Sequence, residues 1–446
     1  MKRIRIAIIA ILAVLAGLWF LADSLLPQPL SYFSFRSVFV QFTGVLALGT
    51  MSIAMVLALR PRWLEGPLDG LDKMYRLHKW LGITALVVSL LHWWWAKGTK
   101  WMVGWGWLTK PERGPGVDPA SLGLIEGWFR STRGLAETVG EWTFYFALVL
   151  IVLALVKRFP YHWFVKTHRW LAPAFLLLAW HSMVLMQFSY WKQPVGWMMA
   201  VLLVAGSVAA LLSLFGRIGA GRKVTGRIEK LIAYPALNVL ETRVAVQPGW
   251  PGHLAGQFAF VTSNRNEGAH PYTIASAWDV RDPHITFITK ALGDHTSRLR
   301  DTLKEGMEVS IEGPYGRFDF ADSPPRQIWI GAGIGITPFI ARMKQRALQA
   351  STSAPADLFH PTAVFDAAAM DKLQADADGA GVKLHVVLDG RDPRLDAGRI
   401  RELVPDWKEA SIWFCGPPAF GEALCADFVA HGLKAEHFHQ ELFQMR

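Results

Sequence analysis

The sequence predicts a multidomain membrane protein: a six-helix transmembrane bundle, then a small antiparallel β-barrel, then an α/β domain with a parallel sheet. Three observations carry this reading. Apolar residues concentrate in the first half of the 446-residue chain as long runs, and about 20 such residues cross a bilayer as a helix. From residue 223 these give way to short β-rich runs separated by turn residues, such as Phe258–Thr262 and 285–290, the pattern of an antiparallel barrel. From residue 326, strand-like runs at 327–330, 357–360, 384–388 and 411–415 alternate with helical stretches, as in a parallel sheet with crossovers. The expected boundaries are 1–218, 219–322 and 323–446.

The six runs cover 6–26, 36–59, 78–96, 142–157, 168–188 and 195–216. The first follows Lys2, Arg3 and Arg5 and imitates a secretory signal, but Phe20 stands where cleavage after Ala22 needs a small residue, so it reads as a retained anchor. Basic residues orient the rest. Arg60, Arg62, Lys73 and Arg76 lie in the second connection and Lys157, Arg158 and Lys166 in the fourth, whereas the first connection has no Lys or Arg and the fifth only Lys192. Both termini and the even-numbered connections are therefore expected in the cytosol, with the bundle in the cytoplasmic membrane. Residues 97–141 carry six basic residues against this trend, but long loops weigh less in the rule. The net charge of +10 collects at the ends of apolar runs rather than on one soluble face, which argues against a nucleic-acid partner. Two cysteines, Cys415 and Cys425, are too few for a four-thiolate zinc or iron–sulfur site.

Four histidines stand inside the third and fifth runs. His78 and His92 are fourteen residues apart, and His168 and His181 thirteen. At about 1.5 Å per residue each pair spans roughly 20 Å of helix. Ionisable groups inside a membrane are costly and usually functional, and imidazole is a natural axial ligand of heme iron. Both helices are expected to run from cytosol to outside, so His78 pairs with His168 on the inner side and His92 with His181 on the outer, a set able to hold two stacked hemes. Fourteen residues return His78 and His92 to within about 40° of one face, whereas thirteen leave His168 and His181 about 140° apart. Pro173 lies between the latter two and removes a backbone donor, so a kink or π-bulge is expected there.

The second half carries cofactor motifs. In His270-Pro271-Tyr272-Thr273, an aromatic ring can cover a flavin face and a hydroxyl can bond its edge. Lys290, Gly293 and Thr296 belong to a segment that can supply donors to a pyrophosphate. Gly313-Pro314-Tyr315-Gly316 reads as a tight turn. Gly331, Gly333 and Gly335, with Thr337 and Pro338, follow a strand and open a helix; glycines admit a pyrophosphate to the backbone and the helix N-terminus favours its charge. The next strand ends at His360 without an acid for a ribose diol or an Arg for a 2′-phosphate. Cys415-Gly416-Pro417 ends another strand, where the thiol can approach the reacting nicotinamide carbon, and Phe443 near the C-terminus can cover the flavin.

In this order the motifs resemble the ferric reductase and NADPH oxidase superfamily, with a C-terminal half similar to ferredoxin–NADP reductases. The resemblance covers almost the whole chain and is closest to bacterial ferric reductase-like members. It implies FAD on the barrel, NAD(P)H on the parallel sheet and two b-type hemes in the bundle, with Cys415 and Phe443 at the reacting rings. It further implies electron transfer from cytosolic NAD(P)H through FAD and the hemes to an extracytoplasmic acceptor. A ferric chelate is expected; the alternatives are dioxygen, reduced to superoxide, and a quinone or periplasmic partner protein.

Overall fold

The computed structural model describes residues 2–111, 123–264, 267–349 and 354–441. The chain divides into two compact units, the first formed by residues 1–69 and 73–218 and the second by 70–72 and 219 onward.

The first unit is helical. It contains α1 (Lys2–Phe20), α2 (Tyr32–Ala58), α3 (Arg62–Leu68), α4 (Leu71–Trp93), α5 (Thr99–Gly104), α6 (Leu124–Leu155), α7 (Tyr161–His168), α8 (Leu171–Leu185) and α9 (Pro194–Leu214). A π-helical turn over Trp94–Gly98 joins α4 to α5. Ser31 opens α2 through a capping box with Ser34, satisfying first-turn donors that have no helical partner. Among the described residues, four helices, α1, α2, α6 and α9, are long and apolar enough to cross a membrane. The histidine-bearing runs fall short of that measure for physical reasons. α4 is diluted by Asp72, Lys73, Arg76 and Lys79 besides its histidines, and the fifth run is broken into α7 and α8.

The expected interruption lies close to Pro173. Pro173 is the third residue of α8, and the helix is interrupted at Arg169–Trp170, between His168 and Leu171. Proline cannot donate to the carbonyl four residues back and its ring crowds that carbonyl; here that residue is Arg169. The fourth run differs from expectation at its start: α6 begins at Leu124, eighteen residues before the apolar run at 142. Its added turns are polar and laced by Glu126–Arg130 and Arg133–Glu137 pairs at i,i+4 spacing.

The helices pack around Trp19, Val45, Phe175, Met199 and Leu203, all buried, while Trp142, Val201, Val204 and Phe215 face outward. Helices apolar on every side are those expected in lipid. Backbones approach closely at small residues: a Cβ on Gly206 of α9 would lie 2.5 Å from the Phe175 ring of α8 and 3.2 Å from Ser52 Cα of α2.

The second unit begins with β1 (Lys223–Tyr234), β2 (Val239–Val246), β3 (Phe258–Thr262), β4 (His270–Thr273), β5 (His284–Lys290), α10 (Asp294–Thr302) and β6 (Glu308–Tyr315). The strands form one antiparallel sheet in the order β4-β3-β6-β1-β2-β5. Its edges β4 and β5 meet at an Ile274–Phe287 bridge, beside which Ala275 N–H donates to Thr286 O at 2.7 Å. Ile228, Val244, Ala259, Ile285, Phe287 and Ile311 fill the interior.

There follow β7 (Arg326–Gly331), α11 (Thr337–Leu348), β8 (Ala356–Thr362), α12 (Ala367–Ala380), β9 (Val382–Leu388), α13 (Ala397–Leu403), β10 (Ala410–Cys415), α14 (Pro418–Ala430) and β11 (Phe438–Gln440). The sheet is parallel throughout, in the order β11-β10-β7-β8-β9. Separate apolar clusters cover its two faces: Trp329, Phe339 and Trp413 lie in one, Phe359, Phe414 and Phe428 in the other. Both faces of a parallel sheet are thereby buried, as its strands require.

Candidate functional site

Chemistry-bearing residues gather in three places, one in the first unit and two in the second.

In the first unit, α4 carries His78 and His92, and the broken α7–α8 pair carries His168 and His181. The rings of His78 and His168 stand 6.0 Å apart, centroid to centroid, at 66°. Two imidazoles that share one metal through bonds of about 2 Å have centroids about 6 Å apart, so this spacing fits an iron between them. Three of the four rings donate Nδ1–H to a backbone carbonyl: His78 to Ala54 O at 2.9 Å, His92 to Val40 O at 3.0 Å and His181 to Ala136 O at 2.7 Å. Thr43 Oγ1 adds a second contact to His92 Nδ1 at 3.2 Å. A ligating histidine characteristically ties down its other nitrogen in this way, which fixes the tautomer and leaves Nε2 for the metal. His168 Nδ1 is buried with no partner among the described residues; its ring packs on Phe164, centroids 5.0 Å apart. The carbonyl partners come from α2 and α6, and no hydropathy pattern in the sequence marks them.

The second place joins two motifs of the antiparallel domain. His270, at the start of β4, stacks on His295 in the first turn of α10, with centroids 3.6 Å apart and planes within 6°. Burial, helped by the neighbouring His295, pushes the His270 imidazole down to about 4, and burial lowers His295 as well. Both rings are therefore neutral at pH 7. Glu267 lies 3.4 Å from His295 Nδ1 and accepts from Arg298 at 3.1 Å. These donors come within 4.8 Å of one another, yet a metal must sit in the plane of each imidazole it binds, and two parallel stacked rings share no such point. The cluster fits a wall of aromatic and cationic groups beside a helix N-terminus better than a cation site. Pro271, Tyr272 and Thr273 continue β4, paired with Phe260, Ala259 and Phe258 of β3, and the Tyr272 ring leans on Phe287, 6.1 Å away. The expected donor role of Thr296 is qualified: its hydroxyl accepts from Leu292 N at 3.0 Å and Gly293 N at 3.1 Å, and so closes the N-terminus of α10.

The third place lies at the C-terminal ends of the parallel strands. The glycine loop and the Cys415 loop, far apart in sequence, are neighbours. Ala332 N donates to Cys415 O at 2.9 Å, and a Cβ on Gly335 would lie 2.1 Å from that oxygen. Gly335 therefore lets one loop lie on the other. Gly333 has φ +56°, a left-handed conformation that glycine adopts without strain. Gly416 stands over Ala332 on the same terms, its Cβ position 2.7 Å from the Ala332 Cβ. Thr337 Oγ1 donates to Ile334 O at 2.8 Å, Pro338 occupies the first turn of α11 and Pro417 caps α14. Cys415 is buried, and burial, with the Glu441 carboxylate adding to it, pushes its thiol well above the usual range. It is a neutral thiol at physiological pH, not a thiolate nucleophile. Phe443 lies outside the described residues.

A cleft of about 100 Å³ opens beside these loops, lined by Gly333, Ile334, His360 and Lys344 of the parallel domain and by Tyr234, Glu241 and Lys290 of the antiparallel one. Lys372 bridges both carboxylate oxygens of Glu241 at 2.7 Å across it. His360 donates to Gly331 O at 2.7 Å, so the imidazole that ends β8 steadies the glycine loop. Lys344, Lys372 and Glu241 were not legible as cleft residues, because their place depends on how the two sheets face each other.

Residues 43–179 match the family described as ferric reductase like transmembrane component, and residues 225–319 match an FAD-binding domain. An NADPH oxidoreductase of Mycobacterium tuberculosis is 28% identical over 186 residues, covering 39% of this chain and 48% of that protein. A glycine betaine monooxygenase reductase subunit of Pseudomonas aeruginosa is 25% identical over 193 residues, covering 39% and 50%. Respiratory burst oxidase homolog protein B of Oryza sativa subsp. japonica is 27% identical over 287 residues, covering 57% of this chain and 28% of that one. The chain thus spans about half the length of these relatives or less. The two matched segments follow one another on a single chain, and the oxidase alignment is longer than either half of it; the chain belongs to the ferric reductase and NADPH oxidase superfamily.

Proposed function

We propose that this protein carries electrons across the cytoplasmic membrane, from cytosolic NAD(P)H through FAD and two b-type hemes to an extracytoplasmic acceptor. The observation that carries this reading is the pair of imidazoles from α4 and α7 set 6.0 Å apart, with three of the four membrane histidines anchored to carbonyls through Nδ1. His78 and His168 hold the inner heme; His92 and His181 hold the outer one. The six-span arrangement, the three-domain division and the cytosolic termini belong to the same reading, supported by the basic residues at the inner ends of the apolar runs. When bound, nicotinamide and flavin supply two-electron transfer, and flavin and hemes the single-electron steps beyond it.

The chain's own residues align and insulate these groups. Gly331, Gly333 and Gly335 bring backbone donors to the dinucleotide at the start of α11, and Cys415, Gly416 and Pro417 form the facing wall. His270, Pro271, Tyr272 and Thr273 would hold the flavin with Lys290 and Gly293, while Thr296 closes the N-terminus of α10 beside them. His78 with His168 and His92 with His181 would hold one heme each, and an iron with two imidazole ligands would pass single electrons without binding the acceptor.

The acceptor we favour is a ferric chelate. Attraction by the 97–141 loop does not decide the matter, because Lys97, Lys100, Arg130 and Arg133 each lie against a carboxylate of α6. The kinship with a respiratory burst oxidase supports dioxygen as the second reading. Purified full-length protein with FAD and NADH or NADPH tests both: heme reduction is followed spectroscopically, then air or ferric citrate is added. Fast reoxidation by the chelate and slow reoxidation by air supports the first reading, fast superoxide formation in air supports the second, and inertness to both favours a quinone or protein acceptor. Replacing His92 or His181 should abolish delivery to the acceptor while dye reduction by the NAD(P)H–FAD module persists.

A further inference from the structure

Histidine 181 fits against α6 in a way that only one residue type allows. Its Nδ1 reaches Ala136 O at 2.7 Å. One turn further along the same face stands Gly140. A Cβ built there would lie 1.9 Å from His181 Nδ1, 2.3 Å from Cε1 and 2.5 Å from Cγ. No side chain, not even a methyl group, coexists with the ring in this position. The carbonyl used by the ring is also the one that the Gly140 N–H faces in an α-helix; bare backbone at 140 lets imidazole and amide share it.

The other glycines sharpen the point. Gly127 and Gly134, also on α6, have nothing within 4 Å of a built Cβ, and Gly44 on α2 meets only the His92 ring, at 3.4 Å. That is ordinary contact. Glycine inside a helix costs up to about 1 kcal/mol relative to alanine. At 127 and 134 no contact offsets that cost; at 140 the notch does.

We propose that Gly140 is a positioning residue for the outer heme: it opens the notch in α6 that seats the His181 ring on the Ala136 carbonyl and turns Nε2 toward the iron. This rests on the heme reading given above. Filling the notch pushes the ring off the carbonyl. An axial imidazole that loses this bond is a poorer donor, so the ferric outer heme is less stabilised and its midpoint potential rises, or the heme is lost.

The test compares full-length Gly140→Ala, Gly134→Ala, His181→Ala and the Gly140→Ala/His181→Ala double variant. Heme content, low-temperature EPR and potentiometric titration are the readouts. Gly134→Ala should keep both hemes at wild-type potentials. Gly140→Ala should lose the outer component or shift its potential upward, with the inner component and dye reduction by NAD(P)H unchanged. The double variant should match His181→Ala in accumulation and heme content, because without the ring the notch has no occupant. If Gly140→Ala fails to accumulate, restoration of accumulation to the His181→Ala level in the double variant supports the proposal. Gly140→Ala with two unchanged hemes overturns it, as does equal damage with and without the ring. A wild-type protein without b-type absorbance overturns the heme reading instead, and the accumulation of the double variant still decides whether the ring fills the notch.

Discussion

Cys415 is a thiol held neutral by burial and by Glu441, pressed between the glycine loop and its own strand end. Such a thiol fits a role in shaping the proposed nicotinamide site better than one as a nucleophile. Replacing it with Ala should leave FAD content intact and lower the NAD(P)H-dependent turnover about 10-fold, the scale expected when reacting rings lose alignment; stopped-flow flavin reduction measures it. His253 gives a residue-level pH dependence. Burial depresses its imidazole to about 4 although Nε2 donates to Ser276 O at 3.0 Å. The unfolded chain binds this proton below about 6.5 and the folded chain only below about 4, so the antiparallel domain loses stability as pH falls through that window. The loss approaches roughly 3 kcal/mol at one pKa unit per 1.36 kcal/mol. The pH slope of the thermal midpoint between 6.5 and 4, read by flavin release, should flatten in His253→Gln; an unchanged slope would assign it to other groups.

At the scale of elements, two joints decide function. The first is the break between α7 and α8. Pro173→Ala restores the donor to Arg169 and lets the helix run through, turning His168 and His181 apart by about 140°. Heme content should drop from two to one or none, whereas a variant with both hemes would show that the break is held by packing alone. The second is the crossing of the glycine loop over Cys415. Gly335→Ala places a methyl group 2.1 Å from the Cys415 carbonyl, so KM for NAD(P)H should rise more than 10-fold, with FAD binding spared. The sequence showed these elements unequally. The strands at 258–262 and 327–330 were legible because short apolar runs rich in β-branched and aromatic residues stop at turn-forming residues. The polar start of α6 was not, since its stability comes from ion pairs rather than an apolar run. Nor was Gly140, whose constraint comes from a ring on another helix. The histidine pairs were legible because an imidazole in an apolar run has few structural excuses; their carbonyl partners on α2 and α6 emerge only from packing.

Across the whole molecule, one chain joins an apolar helical unit to a unit of two sheets, and in the proposed topology basic residues mark the cytosolic ends of the helices. Tags at either terminus should be reached by protease only after the membrane is permeabilised; access to the C-terminal tag from outside would reverse the proposed direction of transfer, and access to the N-terminal tag alone would contradict the six-span count. The account turns on two irons, each clamped between α4 and the α7–α8 pair. Heme-to-protein stoichiometry combined with near-infrared magnetic circular dichroism of the purified chain tests this most directly. The account predicts two b-type hemes per chain, both low-spin with two imidazole ligands and neither binding carbon monoxide. A single heme, a high-spin or carbon monoxide-binding iron, or no heme at all would contradict it.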